Sequence, residues 1–209
     1  LLEHQVNSRL KGAERSRVGA RLALVYLLDR KPSLALAALK KSPYAKNAKK
    51  LREQRNQLRG RALADLGQGK NALKVLSADN SDESNLLKAE IEWRAKNWAG
   101  AAEALSATVR PPEDGAQMSE EMRKRVLQWA TALRLSDNRR EIALLRRNYL
   151  RHMRSTAQFD AFNLLTNQTA SGLIDMKTVE AQIKQAESFR SFMGDFKDRM
   201  KSDGLSAIN

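Results

Sequence analysis

Apolar residues recur three and four positions apart along nearly the whole chain, and short polar breaks divide this pattern into about ten segments. That periodicity belongs to helices with one buried face. No stretch alternates apolar and polar residues long enough to argue for a strand, and only 10 Gly and 4 Pro interrupt the chain. About three quarters of the residues are therefore expected in helices. The fold class is all-α.

Local signals place the breaks. The first helix runs through Leu10, Val18, Leu22, Val25 and Tyr26 and ends near Asp29. Pro32 opens a short second helix, because proline is tolerated in a first turn. A third covers about 46–66 and stops at Gly67, where glycine can turn left-handed without strain; a fourth covers about 70–77. Ser81-Asp82 caps a fifth, and Asn97 separates it from a sixth. The run Arg110 to Gly115, with two prolines, is the clearest loop. Ser119 followed by Glu120 and Glu121 combines a cap with acids at the positive helix end. Ser136-Asp137 is expected to cap the next helix, and Ser155-x-x-Gln158 has the form of a capping box. A last helix, 176–201, aligns Val179, Ile183, Phe189, Phe192, Phe196 and Met200 on one face.

Short connections force antiparallel hairpins, and a row of hairpins suggests a solenoid. A small residue followed four positions later by Leu recurs at Ala35/Leu39, Ala72/Leu76 and Ala101/Leu105. Ala23, Gly60 and Ala89 supply a small site in each preceding helix, and a weaker fourth copy runs from Ala130 and Leu133 to Ala143. Small residues let the two helices approach, and the leucines fill the space beside them. Gly19, Leu22, Ala23, Tyr26, Ala35 and Leu39, then Gly60, Leu63, Gly67, Ala72 and Leu76, fall at tetratricopeptide spacing. Over about residues 15–145 the chain thus resembles the tetratricopeptide repeat, with a wandering period, no early Trp and no closing proline. The resemblance implies a right-handed superhelical stack of antiparallel helix hairpins acting as a scaffold or adaptor; it transfers no functional residue. The expected organisation is basic hairpins over 1–110, further hairpins over 116–165, and 176–201 as a capping helix or a docking helix for a partner or a second copy.

The charge is lopsided. Of a net +14, residues 1–75 carry 18 Lys+Arg against 5 Asp+Glu, whereas 76–209 carry 20 against 19. Between Lys40 and Arg61 nine basic residues face only Glu53. Arg52, Arg55 and Arg59 fall at i, i+3 and i+7 of the third helix, beside a core face of Leu51, Leu58 and Ala62. Lys46, Lys49 and Lys50 extend the charge toward the helix start, where the macrodipole disfavours cations. Lys46, Lys49, Arg52, Arg55 and Arg59 form the candidate site, and its natural partner is an acidic protein or peptide. Nucleic acid, or an anionic envelope surface, is the alternative, weakened by a 5% aromatic content with only Tyr44 inside the cluster. A second stripe, Arg147, Arg151 and Arg154, lies in the nearly neutral part of the chain.

Catalytic and metal chemistry find little support. Without cysteine there is no disulfide, thiolate site or thiol nucleophile. His4 and His152 have no second ligand at metal spacing. Gly67-Gln68-Gly69-Lys70 follows a helix and precedes Asn71 instead of Ser/Thr, so turn glycines explain it better than a phosphate loop. No metal, cofactor or enzymatic activity is expected, and Trp93, Trp98 and Trp129 are expected at helix contacts. The longest apolar run, Leu22 to Leu28, is too short to span a bilayer. The composition fits cytoplasm or periplasm equally. The opening Leu1, in place of Met, raises the expectation that an upstream portion was removed.

Overall fold

The computed structural model describes residues 11–43, 49–113 and 116–167, and every regular element among them is a helix. In chain order these are α1 (Gly12–Leu28), α2 (Pro32–Lys41), α3 (Lys49–Asp65), α4 (Gly69–Leu76), α5 (Asp82–Arg94), α6 (Trp98–Ser106), α7 (Glu120–Leu135), α8 (Arg139–Met153) and α9 (Phe159–Thr166). The helix expected over 176–201 lies outside the described residues. The chain divides into two compact units between Ala95 and Lys96. That division falls inside the third expected hairpin and not in the proline-rich loop.

A single left-handed residue turns the chain at four places: Arg30 (φ 54°), Gly67 (φ 74°), Lys96 (φ 58°) and Asp137 (φ 49°). Each immediately precedes the N-cap of the next helix, at Lys31, Gln68, Asn97 and Asn138. At three of them the bond pattern is that of a Schellman cap: Lys31 N–H donates to the Tyr26 carbonyl at 2.8 Å, Gln68 to Leu63 at 2.8 Å and Asn138 to Leu133 at 3.0 Å. Seven residues before each turn stands a buried small residue: Ala23, Gly60, Ala89 and Ala130. Five residues after it stand Ala35, Ala72 and Ala101, all at 0% exposure. The repeat read from small residues is thus one register about the left-handed turn.

The fourth copy departs from its expected form. Ile142, fully buried, holds the position where Ala143 was expected, and Ala143 is exposed. The cap also moves. Asp137 is the left-handed residue, and it is the Asn138 side chain that accepts from the Glu141 N–H at 3.2 Å. Ser81 and Ser119 cap as expected, accepting from the Ser84 and Met122 N–H groups at 3.3 and 3.2 Å. Ser155-x-x-Gln158 does not form a capping box: α9 starts after Gln158, whose side chain makes no cap bond.

In the first unit α1 packs on α2 and α3, α2 on α3, and α3 also on α4 and α5. One apolar cluster joins Leu22, Ala23, Leu27, Ala35, Leu39, Leu58 and Ala62, and another joins Leu63, Ala72, Leu76, Leu87 and Ile91. Two glycines mark the closest approaches. A Cβ on Gly60 would lie 2.9 Å from Leu76 Cγ of α4, and one on Gly19 would lie 2.3 Å from Ser42 Cβ at the end of α2. Polar bonds tie α3 to α5. Arg61 Nη1 donates to buried Glu90 at 2.8 Å, Arg94 bonds the other Glu90 oxygen, and both arginines approach Asp65 at 3.3 and 3.5 Å. Gln57 Nε2 donates to Asp79 Oδ2 at 2.9 Å, while Ser81 N–H donates to Asp79 Oδ1 at 2.9 Å.

In the second unit α7 packs on α6, α8 and α9, and α8 packs on α9. Val126, Ile142, Leu145, Met153, Phe162 and Leu165 are almost wholly buried there. Arg146 Nη1 joins α8 to α9 through Asn163 Oδ1 at 3.0 Å and Thr166 Oγ1 at 2.9 Å. Trp129 meets Tyr149 edge-on at 6.3 Å, the geometry aromatic quadrupoles favour. Trp93, Trp98 and Trp129 are half-buried.

Candidate basic interface

The five residues of the expected site do not share one surface. Lys46 lies outside the described residues. Lys49 opens α3 with a side chain 81% exposed and meets Glu53 at 3.9 Å. Arg52 and Arg59 are exposed. At about 100° per residue, seven residues bring them back to within about 20° of one another, so these two do form a stripe.

Arg55 is a correction. It is 6% exposed and belongs to the interior. Its Nη1 donates to the Ser16 carbonyl of α1 at 2.8 Å and to Ser42 Oγ at 3.3 Å, and its Nη2 donates to the Leu39 carbonyl at 2.7 Å. Ser42 Oγ donates in turn to the Ala38 carbonyl at 2.7 Å. Ala38 and Leu39 lie in the last turn of α2, whose carbonyls have no partner within their own helix. Arg55 thus caps α2 from α3, with its charge at the negative end of that helix. Burial pulls its guanidinium below its ordinary value; an arginine stays charged nonetheless. The sequence held the signal. Arg55 follows Leu51 by four residues and precedes Leu58 by three and Ala62 by seven, which is core spacing.

Packing brings together cations that the sequence keeps apart. Between α1 and α3 runs a groove of about 510 Å³, floored by Ala20, Leu24 and Leu51 and edged by Arg17, Arg21, Lys49 and Lys50. Arg17 and Arg21 stand four apart on α1 and so project from one side of it. All four cations are exposed. No acidic partner among the described residues holds Arg17, Arg21 or Lys50, whereas Arg61 and Arg94 are tied to Asp65 and Glu90. Arg17, Arg21 and Lys50 were not among the expected site residues. The i, i+4 spacing of Arg17 and Arg21 was visible, and so was Lys50 beside the stripe, but the pairing of α1 with the start of α3 was not.

The second stripe, Arg147, Arg151 and Arg154, is exposed on and just beyond α8. At Gly67-Gln68-Gly69-Lys70 the geometry is that of a turn: Gly67 takes the left-handed conformation and α4 begins at Gly69. Among the described residues no three His, Cys, Asp or Glu side chains gather to hold a metal, and no helix is long and apolar enough to cross a membrane. No protein-family model, no curated protein and no solved structure matches this chain.

Proposed function

We infer that this chain is a non-enzymatic scaffold or adaptor whose first unit presents a basic surface to an acidic protein or peptide. The observation that carries the reading is the α1–α3 groove, where an apolar floor lies between cations on both walls and no acidic residue among the described ones lines it. Apolar contact supplies area and the rim supplies long-range attraction, the division of labour of a protein interface. Arg52 and Arg59 continue the positive potential along α3. A right-handed stack of hairpins resembling the tetratricopeptide repeat is the architecture we attach to this reading. The common register about Arg30, Gly67, Lys96 and Asp137 supports it.

The test compares binding of the purified chain to acidic helical peptides with apolar residues at i, i+3 and i+4, to polyglutamate, to duplex DNA and to anionic vesicles. A scaffold binds the patterned peptides saturably, discriminates among them and loses affinity moderately with salt. Equal binding of every polyanion, with a steep logarithmic loss in salt, would replace this reading by a polyanion binder of the nucleic-acid or membrane-surface kind.

A further inference from the structure

A second cavity of the first unit lies between α2 and α3 and has a volume of about 530 Å³. Leu36, Leu39 and Leu63 wall it, and Lys40, Arg55 and Arg59 supply its charge. The size falls within the range of small-ligand pockets, roughly 300–1,000 Å³. No Asp or Glu among the described residues lines it.

Arg55 is the unusual member. It is a buried cation whose three protein bonds go to neutral oxygens: two backbone carbonyls and a hydroxyl. A guanidinium carries five N–H donors, so donors remain beyond those bonds. Interior charges are ordinarily matched by an opposite charge, since dipoles alone compensate poorly for lost water. Among the described residues no carboxylate supplies the opposite charge. Lys40 and Arg59, both exposed, stand on the same cavity and add to the potential.

We propose that this cavity binds an organic anion, a carboxylate or phosphoryl group carried on an apolar body. The anionic group pairs with the cations of Arg59, Lys40 and Arg55, and the apolar body rests on Leu36, Leu39 and Leu63. This site is separate from the α1–α3 groove and does not depend on the acidic-partner reading.

Calorimetric titration of the whole chain with octanoate and with phenyl phosphate tests the idea, using octanol, acetate and inorganic phosphate as comparisons. One-site binding of at least one organic anion is expected, about tenfold or more tighter than the neutral or bare-ion comparison. Lys40→Ala and Arg59→Ala, both at exposed positions, should each weaken it several-fold while leaving the melting temperature unchanged. Leu36→Trp, which fills the cavity, should abolish it. Arg17→Glu with Arg21→Glu should leave it intact, so this site and the α1–α3 groove can fail separately. The proposal is overturned if neither organic anion binds, if the bare ions bind as tightly, or if binding survives Leu36→Trp.

Discussion

Arg55 Nη2 donates to the Leu39 carbonyl at 2.7 Å, so one arginine of α3 completes the C-terminus of α2. The two groups are 16 residues apart and on different helices, and the bond is buried. It converts a residue with the composition of a binding site into a part of the core. Replacing Arg55 with Ala should therefore cost stability, by about 2–4 kcal/mol, because hydrogen bonds from a charged donor are lost and a buried carbonyl is left without its partner. Arg55→Lys should recover only part, since one ammonium cannot reproduce a planar fork reaching α1 and α2 together. Urea unfolding of the three proteins gives the comparison; an unchanged midpoint for Arg55→Ala would return the residue to the surface.

Gly19 faces the same junction. A methyl group there meets both atoms of the Ser42 side chain, and the Cβ contact cannot be relieved by a rotamer change. Gly19→Ala should destabilise by ~1–3 kcal/mol despite its higher helix propensity, as overpacked contacts do. Gly12→Ala is a poor control because of its positive φ of 59°. Ala13→Gly, at an exposed helical site, is the better one and should cost only ~1 kcal/mol. Thermal melts of the two variants distinguish crowding from propensity.

Reversal of Arg17, Arg21 and Lys50 to Glu removes the positive rim of the α1–α3 groove and leaves Leu24 and Leu51 in place. Each change should shift stability by ~0.5 kcal/mol or less. Binding of an acidic peptide should collapse, chiefly through slower association at low salt. Raising salt on the native protein should imitate the mutant, because screening acts over ~10 Å at 0.1 M. Reversal of Arg147, Arg151 and Arg154 is the matched control and should leave that binding in place.

Asp79 sets an acid limit on the first unit. Burial alone would push its carboxyl up, but the Ser81 backbone and hydroxyl, the Gln57 amide and the nearby Lys88 outweigh burial and hold it below the ordinary value of 3.8. A carboxyl depressed in the folded state stabilises fully above its unfolded value, and that contribution fades as pH falls through the folded one. Stability should thus decline with a slope below about pH 4 that Asp79→Asn reduces. Denaturant midpoints measured from pH 6 downward check the difference.

The all-helical fold and the hairpin register were readable because they rest on local chemistry. Ala35, Ala72 and Ala101 are small where helices touch, and Ser81 and Ser119 cap where their neighbours suggest. The failures arise where two neighbouring residues compete for one role or where distance in the chain hides contact. Asn138 and not Ser136 caps α8, because Asp137 takes the left-handed turn. Arg55 lies about 60° from Arg52 around α3, and its spacing to Leu51, Leu58 and Ala62 marked the inward side, but only packing brings its guanidinium to the Ser16 and Leu39 carbonyls. Arg17 and Lys50 stand 33 residues apart and meet only across a groove that no local pattern announces.

The cap supplied by Arg55 also bears on how the chain can be cut. A segment ending before α3 would keep α1, α2 and the left-handed turn at Arg30, yet the Leu39 carbonyl would face water. Ser42, which packs on Gly19, would keep its bond to Ala38 but lose the one from Arg55. Helix pairs that look interchangeable by spacing are therefore not independent modules. Transplanting the first pair, or trimming the chain to a minimal fragment, requires carrying α3 at least through Arg55.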